Sequence, residues 1–505
     1  MAPSKCAHEI SSKKKVLRIE KLMEFCKEAS KDELSSKLYE VWNDTQASIT
    51  DVRLLFALGA DPETLFVDDY GVNTLNERKL NGSICRLCAS KYESFLENSQ
   101  SIYEAQFKSI PIKLNTKDNI SSSSSSFSTD SAIVGSNNIF NSKNDTRFVA
   151  LSLDGGGMRG LVSVICLLFA SRRIFGDESL VDHINWTIGT STGSLLALSL
   201  AKGNTLTEAF FNYWDVKNEI FLDKSTMARL FGNVVDRQTA NVENVLERTF
   251  PSDIYTFKKY PKRLTVPALD ISMTPAKLHI FRNYTYGDDD DFEDVTFKDA
   301  ARASGAAPTY FHPHIMGDKK FVDGSLAANC PLNVLFKEYD RCLQNKQNCT
   351  LACIISIGTG EPEETNRRYK TGNSIKKRTQ HLGHVTELLL EQVVGYEKSI
   401  LECCEERCRA NDIPFIRINP TGISDRIDQI DNGKLTDMIW KALLWLNNSR
   451  DLIDKLGIIL KELHQNNKKL SPAPQIFYNG NNLLGCNSPS ISSKFEGRKR
   501  SNTIL

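Results

Sequence analysis

No apolar run in this 505-residue chain is long enough to cross a bilayer; Leu161 to Ala170 falls well short of the roughly 20 residues a spanning helix needs. The N-terminus lacks the apolar core of a secretory signal, which points to a reducing, cytosolic setting. The thirteen cysteines are scattered, and several, Cys166 and Cys353 among them, lie inside apolar periodic runs, so free thiols are expected. Cys85-x-x-Cys88 has neither a second pair nor a nearby histidine, which argues against zinc. Asp288 to Asp291 lacks the glycine and the spaced ligands of a calcium loop and reads as an exposed turn. An excess of one charge is missing as well: 63 Lys+Arg stand against 62 Asp+Glu, a net charge of +1. That balance excludes a generic polyanion binder, so no nucleic-acid partner is expected. At this length two or three structural units are expected.

What the chain does have is two glycine-rich turns about thirty residues apart. The first, Asp154-Gly155-Gly156-Gly157-Met158-Arg159-Gly160, follows the apolar run Phe148 to Leu153. The second, Gly189-Thr190-Ser191-Thr192-Gly193, follows Trp186-Thr187-Ile188. Each reads as strand, tight turn, helix. A serine flanked by glycines at such a turn is a nucleophile elbow: the backbone bends so sharply that only glycine fits at the flanks, and the hydroxyl is pushed out at the helix start. The bare N–H groups of Gly155, Gly156 and Gly157, with that of Thr192, are placed to receive an anion. Together the turns supply a nucleophile and a site for a developing oxyanion. Gly155-x-Gly157-x-x-Gly160 also fits a dinucleotide fingerprint, but no βαβ unit ending in a ribose-binding acid follows.

A third piece is Phe321-Val322-Asp323-Gly324-Ser325, a short strand ending in an acidic turn. An aspartate at a strand end can reach a serine hydroxyl elsewhere in a sheet; the plain alternative is a surface Asp-Gly turn. In this order the three pieces resemble the patatin-like phospholipases: an Asp-Gly-Gly-Gly-x-Arg-Gly loop, a Gly-x-Ser-x-Gly elbow, and a late Asp-Gly-Gly or Asp-Gly-Ala. Leu278 to Tyr284 and Ala300 to Phe311 are similar to the calcium-independent, group VI phospholipase A2 branch. The resemblance covers roughly residues 146 to 365. Ser325 departs from it, standing where the family has glycine or alanine, and is placed to add a hydrogen bond to the Asp323 carboxylate. The resemblance implies an α/β, patatin-like three-layer fold with a mostly parallel central sheet. It also implies a Ser191–Asp323 dyad that needs no metal or other cofactor.

The rest of the chain divides by composition. Residues 1–114 read as a helical, degenerate ankyrin-like region, with Asp51 to Pro62 as helix plus Gly-Ala-Asp and Gly71-x-Thr-x-Leu beyond it. A plain helical hairpin would fit as well; either must dock on something, most simply the catalytic unit. Residues 115–146 are a Ser/Asn-rich linker that cannot bury enough surface to offset its ordering entropy. In the catalytic domain, 147–365, helices are expected over Leu161 to Phe175 and Ser194 to Lys202. Strands are expected over Leu264 to Ser272, Leu278 to Tyr284 and Leu351 to Ile357. Alternation of this kind puts the site at the carboxyl ends of the strands. Residues 366–486 are a basic loop, with Arg367, Arg368, Lys370, Lys376, Lys377 and Arg378, and a helical C-terminal extension. The loop is either solvated or a contact for anionic headgroups. Leu435, Met438, Ile439, Ala442, Trp445 and Leu446 share one helix face, which packs on the domain or receives a calmodulin-type partner. Residues 487–505 form a polar, disordered tail.

The expected chemistry follows. Ser191 attacks the ester carbonyl of a glycerophospholipid at a membrane surface, and Asp323 takes its proton. Asp154, Gly160, Gly189, Gly193 and Gly324 complete the three motifs, and Arg159 fixes the loop at the helix start or meets the lipid phosphate. The aromatic run Phe210, Phe211, Tyr213, Trp214 and Phe221 packs the core or lines an acyl channel. A Ser-His-Asp triad is a rival, with His279, His312, His314, His381 and His384 on offer. Against it, the His-Gly loop and the acid-before-histidine order of α/β-hydrolases are not seen. Broader lysophospholipase or neutral-lipid esterase activity would also accommodate these motifs, as would a non-catalytic lipid-binding scaffold. A homodimer is a further expectation that rests on the resemblance alone, and the expected setting is cytoplasmic with peripheral membrane association.

Overall fold

In the computed structural model the described residues are 18–43, 48–65, 86–108, 146–221, 234–286, 294–347, 349–362 and 397–469. The Ser/Asn-rich linker up to residue 145, the second half of the ankyrin-like stretch, Cys85, Asp288 to Asp291, the basic cluster, His381, His384 and the tail lie outside them. Residues up to Leu463 form one compact unit. Among the described residues no helix is long and apolar enough to cross a membrane.

The core is one eight-stranded sheet: β1 Thr146–Leu153, β2 Trp186–Gly189, β3 Arg263–Asp270, β4 Lys277–Arg282, β5 His314–Met316, β6 Lys319–Val322, β7 Cys349–Ile357 and β8 Phe415–Ile418. The order is β5-β6-β3-β2-β1-β7-β8, with β4 pairing β3 off this path. β1 pairs in parallel with β2 and β7, β2 with β3, and β7 with β8. The hairpin-like pairs β3/β4, β3/β6 and β5/β6 are antiparallel. β1 and β7 are near-continuous apolar runs because helices cover both faces of the sheet there, as a parallel sheet requires. The sheet is therefore mixed, with its parallel half in the middle. β8, from the segment expected to be a purely helical extension, joins that half.

The position of β6 matters most. At Leu269 one edge of β3 is taken by β4, through Leu278. A strand has two edges, so β6, pairing Val322 with Leu269, must use the other. That is the edge on which β2 pairs Ile188 with Thr265. β2 runs along this edge parallel to β3 and stops; β6 comes the opposite way and stops facing it. The turns that follow the two strands meet in a gap only three β3 residues wide, Val266 to Ala268.

Helix α1, Gly160–Phe175, follows the first glycine turn and is buried almost all round. Helix α2, Thr192–Lys202, follows the elbow. Helix α3, Leu206–Ile220, starts at a capping box: Glu208 N–H donates to Thr205 Oγ1 (3.1 Å) and Thr205 N–H to Glu208 Oε2 (2.8 Å). Helix α4, Val234–Thr249, and helix α5, Phe297–Ser304, complete the wall beside it.

The N-terminal helices dock on α1 and on helix α6, Asn432–Asn448. Phe56, Phe95 and Trp440 form an aromatic cluster with ring centroids 5.0 to 6.4 Å apart. The helix Ile49–Leu58 ends at Gly59, held at φ 110°. Arg172 of α1 reaches its last carbonyls, those of Ala57 and Leu58, at 3.3 Å. Arg173 grips Asp454 with two bonds of 2.7 and 2.6 Å and donates to Ala105 O at 2.8 Å. The apolar face from Leu435 to Leu446 is buried in this packing. The helix expected over Leu435 to Leu463 is broken at Ser449 into α6 and Arg450–Lys469. The Asn447-Asn448-Ser449 run there has poor helix propensity, and the Ser449 N–H turns back to Trp445 O and Leu446 O.

Candidate active site

Ser191 sits between β2 and α2 with φ 51° and ψ −119°, a conformation that costs a non-glycine residue on the order of 1–3 kcal/mol. The sequence around it enforces the bend. A Cβ on Gly189 would overlap the Gly193 carbonyl, and one on Gly193 would overlap the Leu153 carbonyl. Thr190 is buried, its hydroxyl donating to Ala328 O at 2.7 Å. The Ser191 N–H donates to Ser304 Oγ (2.9 Å), and that hydroxyl donates to Pro267 O (2.6 Å). The elbow is thus tied through α5 to the β3 residue that spans the gap.

Asp323 closes the gap from the other side. Ser191 Oγ lies 2.8 Å from Asp323 Oδ2. The other carboxylate oxygen accepts the Ser325 N–H at 2.8 Å, and the Ser325 hydroxyl bonds the same carboxylate. Gly324 leaves no room for a side chain against the Pro267 carbonyl. Burial pushes the Asp323 carboxyl up to about 6, while the bonds from Ser325 and Ser191 pull the other way. The carboxylate is therefore more basic than an exposed aspartate yet still ionised near neutral pH.

The first glycine turn lies against the same serine: a Cβ on Gly155 would stand 3.3 Å from Ser191 Cβ and overlap Ser325 Oγ. The Gly155 N–H donates to Asn329 O at 3.1 Å, so it is not available to an oxyanion. Among the described residues no acceptor meets the N–H of Gly156 or Gly157, and both glycines line the cleft described below. Thr192 is the first residue of α2, where an N–H has no partner within its own helix. Gly157 holds φ 58° against the Ile427 carbonyl, and Gly160 packs without a side chain against Thr192 and Tyr213.

The loop is braced from the C-terminal part of the chain, which no sequence motif announced. Asp154, at the end of β1, is buried and forms an ion pair with Arg417 of β8, N to O 2.6 Å. Arg417 reaches it across β7, donating to Ser356 Oγ on the way at 2.8 Å. Burial raises the Asp154 carboxyl, and Arg417 opposes this. Thr359 donates to Gly155 O at 3.0 Å, and Met158 N–H to Ile427 O at 2.7 Å. Of these braces Thr359 alone stands in a glycine-rich turn, Gly358-Thr359-Gly360 after β7. Arg159 is buried at the loop's end and lines the cleft.

The cleft opens over Ser191 and spans about 1070 Å³ with the open space at its mouth included. Val216, Ile220, Phe221, Val242, Leu246 and Phe311 give it an apolar wall. Of the aromatic run, Tyr213 and Phe221 line it, while Phe210, Phe211 and Trp214 are buried in the core. Tyr213 OH donates to Thr192 O (2.6 Å), coupling the wall to the elbow. No described histidine bonds Ser191 or Asp323. His279 packs on Phe281 and Phe321, His312 pairs with Asp236, and His314 with Asp299.

Residues 151–336 match the family model described as patatin-like phospholipase. The chain is 26% identical over 324 residues to an intracellular phospholipase A2 of Caenorhabditis elegans, covering 62% of this chain and 29% of that one. It is 27% identical over 352 residues to the 85/88 kDa calcium-independent phospholipase A2 of Mus musculus, covering 61% and 40%. A cGAMP-activated phospholipase of Escherichia coli is 31% identical over 232 residues, 42% of this chain and 62% of that one. The chain thus spans well under half the length of the two animal relatives. Residues 151–336, which carry both glycine turns and the Asp323 turn, thus form a patatin-like phospholipase domain, similar to the calcium-independent phospholipases A2.

Proposed function

We propose that this protein is a lipid acyl hydrolase that releases fatty acid from glycerophospholipids at a membrane surface. The observation that carries the reading is the 2.8 Å contact between Ser191 Oγ and Asp323 Oδ2 at the head of an apolar cleft. Ser191 Oγ attacks the ester carbonyl carbon while its proton passes to Asp323 Oδ2. The tetrahedral oxyanion is held by the N–H groups of Gly156, Gly157 and Thr192, each worth about 3 kcal/mol at the transition state. Collapse expels the lysophospholipid alkoxide, which takes the proton from Asp323, and leaves the acyl group on Ser191. A water then gives a proton to Asp323 and attacks the acyl-enzyme; collapse breaks the bond to Ser191 Oγ, which takes that proton back from Asp323, and the fatty acid is released. The apolar wall takes the acyl chain, and Arg159 is placed to meet the phosphate. The relatives named as phospholipases A2 support the substrate class.

The test is hydrolysis of a phosphatidylcholine with two different acyl chains, its products read by mass spectrometry. Wild type releases fatty acid; Ser191→Ala loses about a thousandfold or more in rate while unfolding at the same temperature. Equal release by wild type and Ser191→Ala overturns the mechanism, and release by neither overturns the function. Replacing His279, His312 and His314 singly leaves the rate within a few-fold.

A further inference from the structure

The β5/β6 hairpin carries large apolar side chains where an edge should carry polar ones. In the pair β5/β6, His314 faces Phe321 and Ile315 faces Lys320. The Phe321 side chain is buried and packs on His279 and Phe281, so that face points inward. Side chains alternate along a strand, so Ile315 and Lys320 point outward. Ile315 is 67% exposed. The same row continues onto the β3–β4 turn, since Ile271 N–H donates to Lys320 O and Lys320 N–H to Ser272 Oγ. Met273, the next residue of that turn, is 59% exposed. Lys320 is exposed on this outward row, whereas Lys277 and Lys319 alternate onto the face of Phe321; Asp270 and Asp318 are the acidic neighbours.

This patch stands at the mouth of the cleft. β5 starts three residues after Phe311, and β6 ends one residue before Asp323, both of them cleft residues. Lys320 is three strand residues from Asp323, about 10 Å at the usual rise. β3 runs on past the elbow by the same distance, so its turn projects on the side from which substrate enters. Leu326, 38% exposed, lines the cleft three residues after Asp323.

We infer that Ile315 and Met273, with Lys320 beside Ile315, insert into a phospholipid surface and seat the cleft mouth on it. The inference rests on the lipid-hydrolase reading and deepens it. A second copy of the chain is a poorer occupant. Two side chains cannot bury the roughly 800 Å² per partner that a stable dimer needs. A three-residue edge strand preceded by Pro313 offers little to strand pairing. Apolar tips with Lys320 on the same row, and Lys277 and Lys319 on the reverse face of the same edge, suit an interface whose headgroups are in part anionic.

The experiment uses the full chain, Ile315→Ser/Met273→Ser, and sucrose-loaded phosphatidylcholine vesicles with and without phosphatidylserine. Both positions are exposed, so the variant folds, which its melting temperature checks. The double variant is expected to partition roughly tenfold less onto both vesicles. Wild type binds the phosphatidylserine vesicles more tightly, and added salt reduces that difference. Hydrolysis of vesicle lipid falls in parallel, while hydrolysis of a short-chain ester kept below its micelle concentration is unchanged. Unaltered vesicle partitioning overturns the inference, and so does a change of oligomeric state with partitioning unaltered. If wild type hydrolyses neither substrate, the enzymatic reading fails, and the partitioning result still decides the docking surface.

Discussion

The two glycine turns are built alike and held differently. Each follows an interior strand and starts a buried helix. The elbow around Ser191 is fixed by its own turn and by neighbours within the matched domain: Gly189 meets backbone within the turn, Gly193 meets β1, and Ser304 ties the Ser191 N–H to β3. The loop around Gly155 is fixed from afar, by Asn329, Thr359, Arg417 and Ile427. The elbow's partners all lie at or before Ala328, whereas those of the glycine loop reach on through the C-terminal segment to Ile427. The difference teaches that the catalytic unit is incomplete without its C-terminal segment, although residues 151–336 alone match the family model.

Arg417→Met breaks the loop's side of this comparison most severely. It leaves a carboxylate buried without its cation, at a cost of about 3 kcal/mol or more. A thermal melt with single-turnover kinetics reads it: the melting temperature and the acylation rate both fall, and substrate affinity holds. If only stability falls, the ion pair is a brace for the sheet and not for the loop. Next is Asp323→Asn, which separates catalysis from stability. The folded carboxyl keeps its proton up to about pH 6 and the unfolded one ionises near 3.8. Stability therefore falls as pH rises between those values, and the loss persists above them. Asparagine removes that loss, so the inactive variant is expected to gain about 2 kcal/mol near pH 8 and nothing below about pH 4, read by urea melts at both. No gain at high pH contradicts the burial argument.

Ser304→Ala tests the elbow's side. The Ser191 N–H loses its acceptor, for about 1–2 kcal/mol, and the rate falls with the hydroxyl misplaced. An effect larger than that of Arg417→Met would invert the comparison. The smallest change is expected at Ser325. Hydrolysis by wild type declines as pH falls through about 6, when Asp323 takes a proton. Ser325→Ala removes one bond that favours the charged form, so the acid limb moves to higher pH by a fraction of a unit. A limb that stays put or moves down contradicts the role given to Ser325.

These cases also mark how much of the molecule is legible in its sequence. Gly-x-Ser-x-Gly after an apolar run can be read because part of its physics is local: Gly189 is demanded by the Gly193 carbonyl within the same turn. The strands over Leu264 to Ser272, Leu278 to Tyr284 and Leu351 to Ile357 are legible for the same reason, as apolar runs bounded by turns; they stand at Arg263–Asp270, Lys277–Arg282 and Cys349–Ile357. Arg417 is not legible. Its strand is four residues long and lies in a segment dominated by helical periodicity, and nothing near it in sequence hints at Asp154. Gly155 misleads for a related reason, because a bare N–H in a glycine run does not reveal that a distant carbonyl, Asn329, will claim it. The direction of β6 is hidden too, since an aspartate at a strand end looks the same whichever way the strand runs.

That direction has a consequence for how this site tolerates change. Ser191 and Asp323 hang from opposite ends of a single ruler, with Thr265 and Leu269 of β3 as its two marks. Insertions in the connections before β3 or between β4 and β5 are absorbed outside the ruler and leave the spacing alone. One residue added between the marks lengthens the span by about 3.3 Å and turns one of the two groups to the opposite face of the sheet. The narrowest constraint on this chemistry therefore falls on Val266, Pro267 and Ala268, three residues that perform none of it.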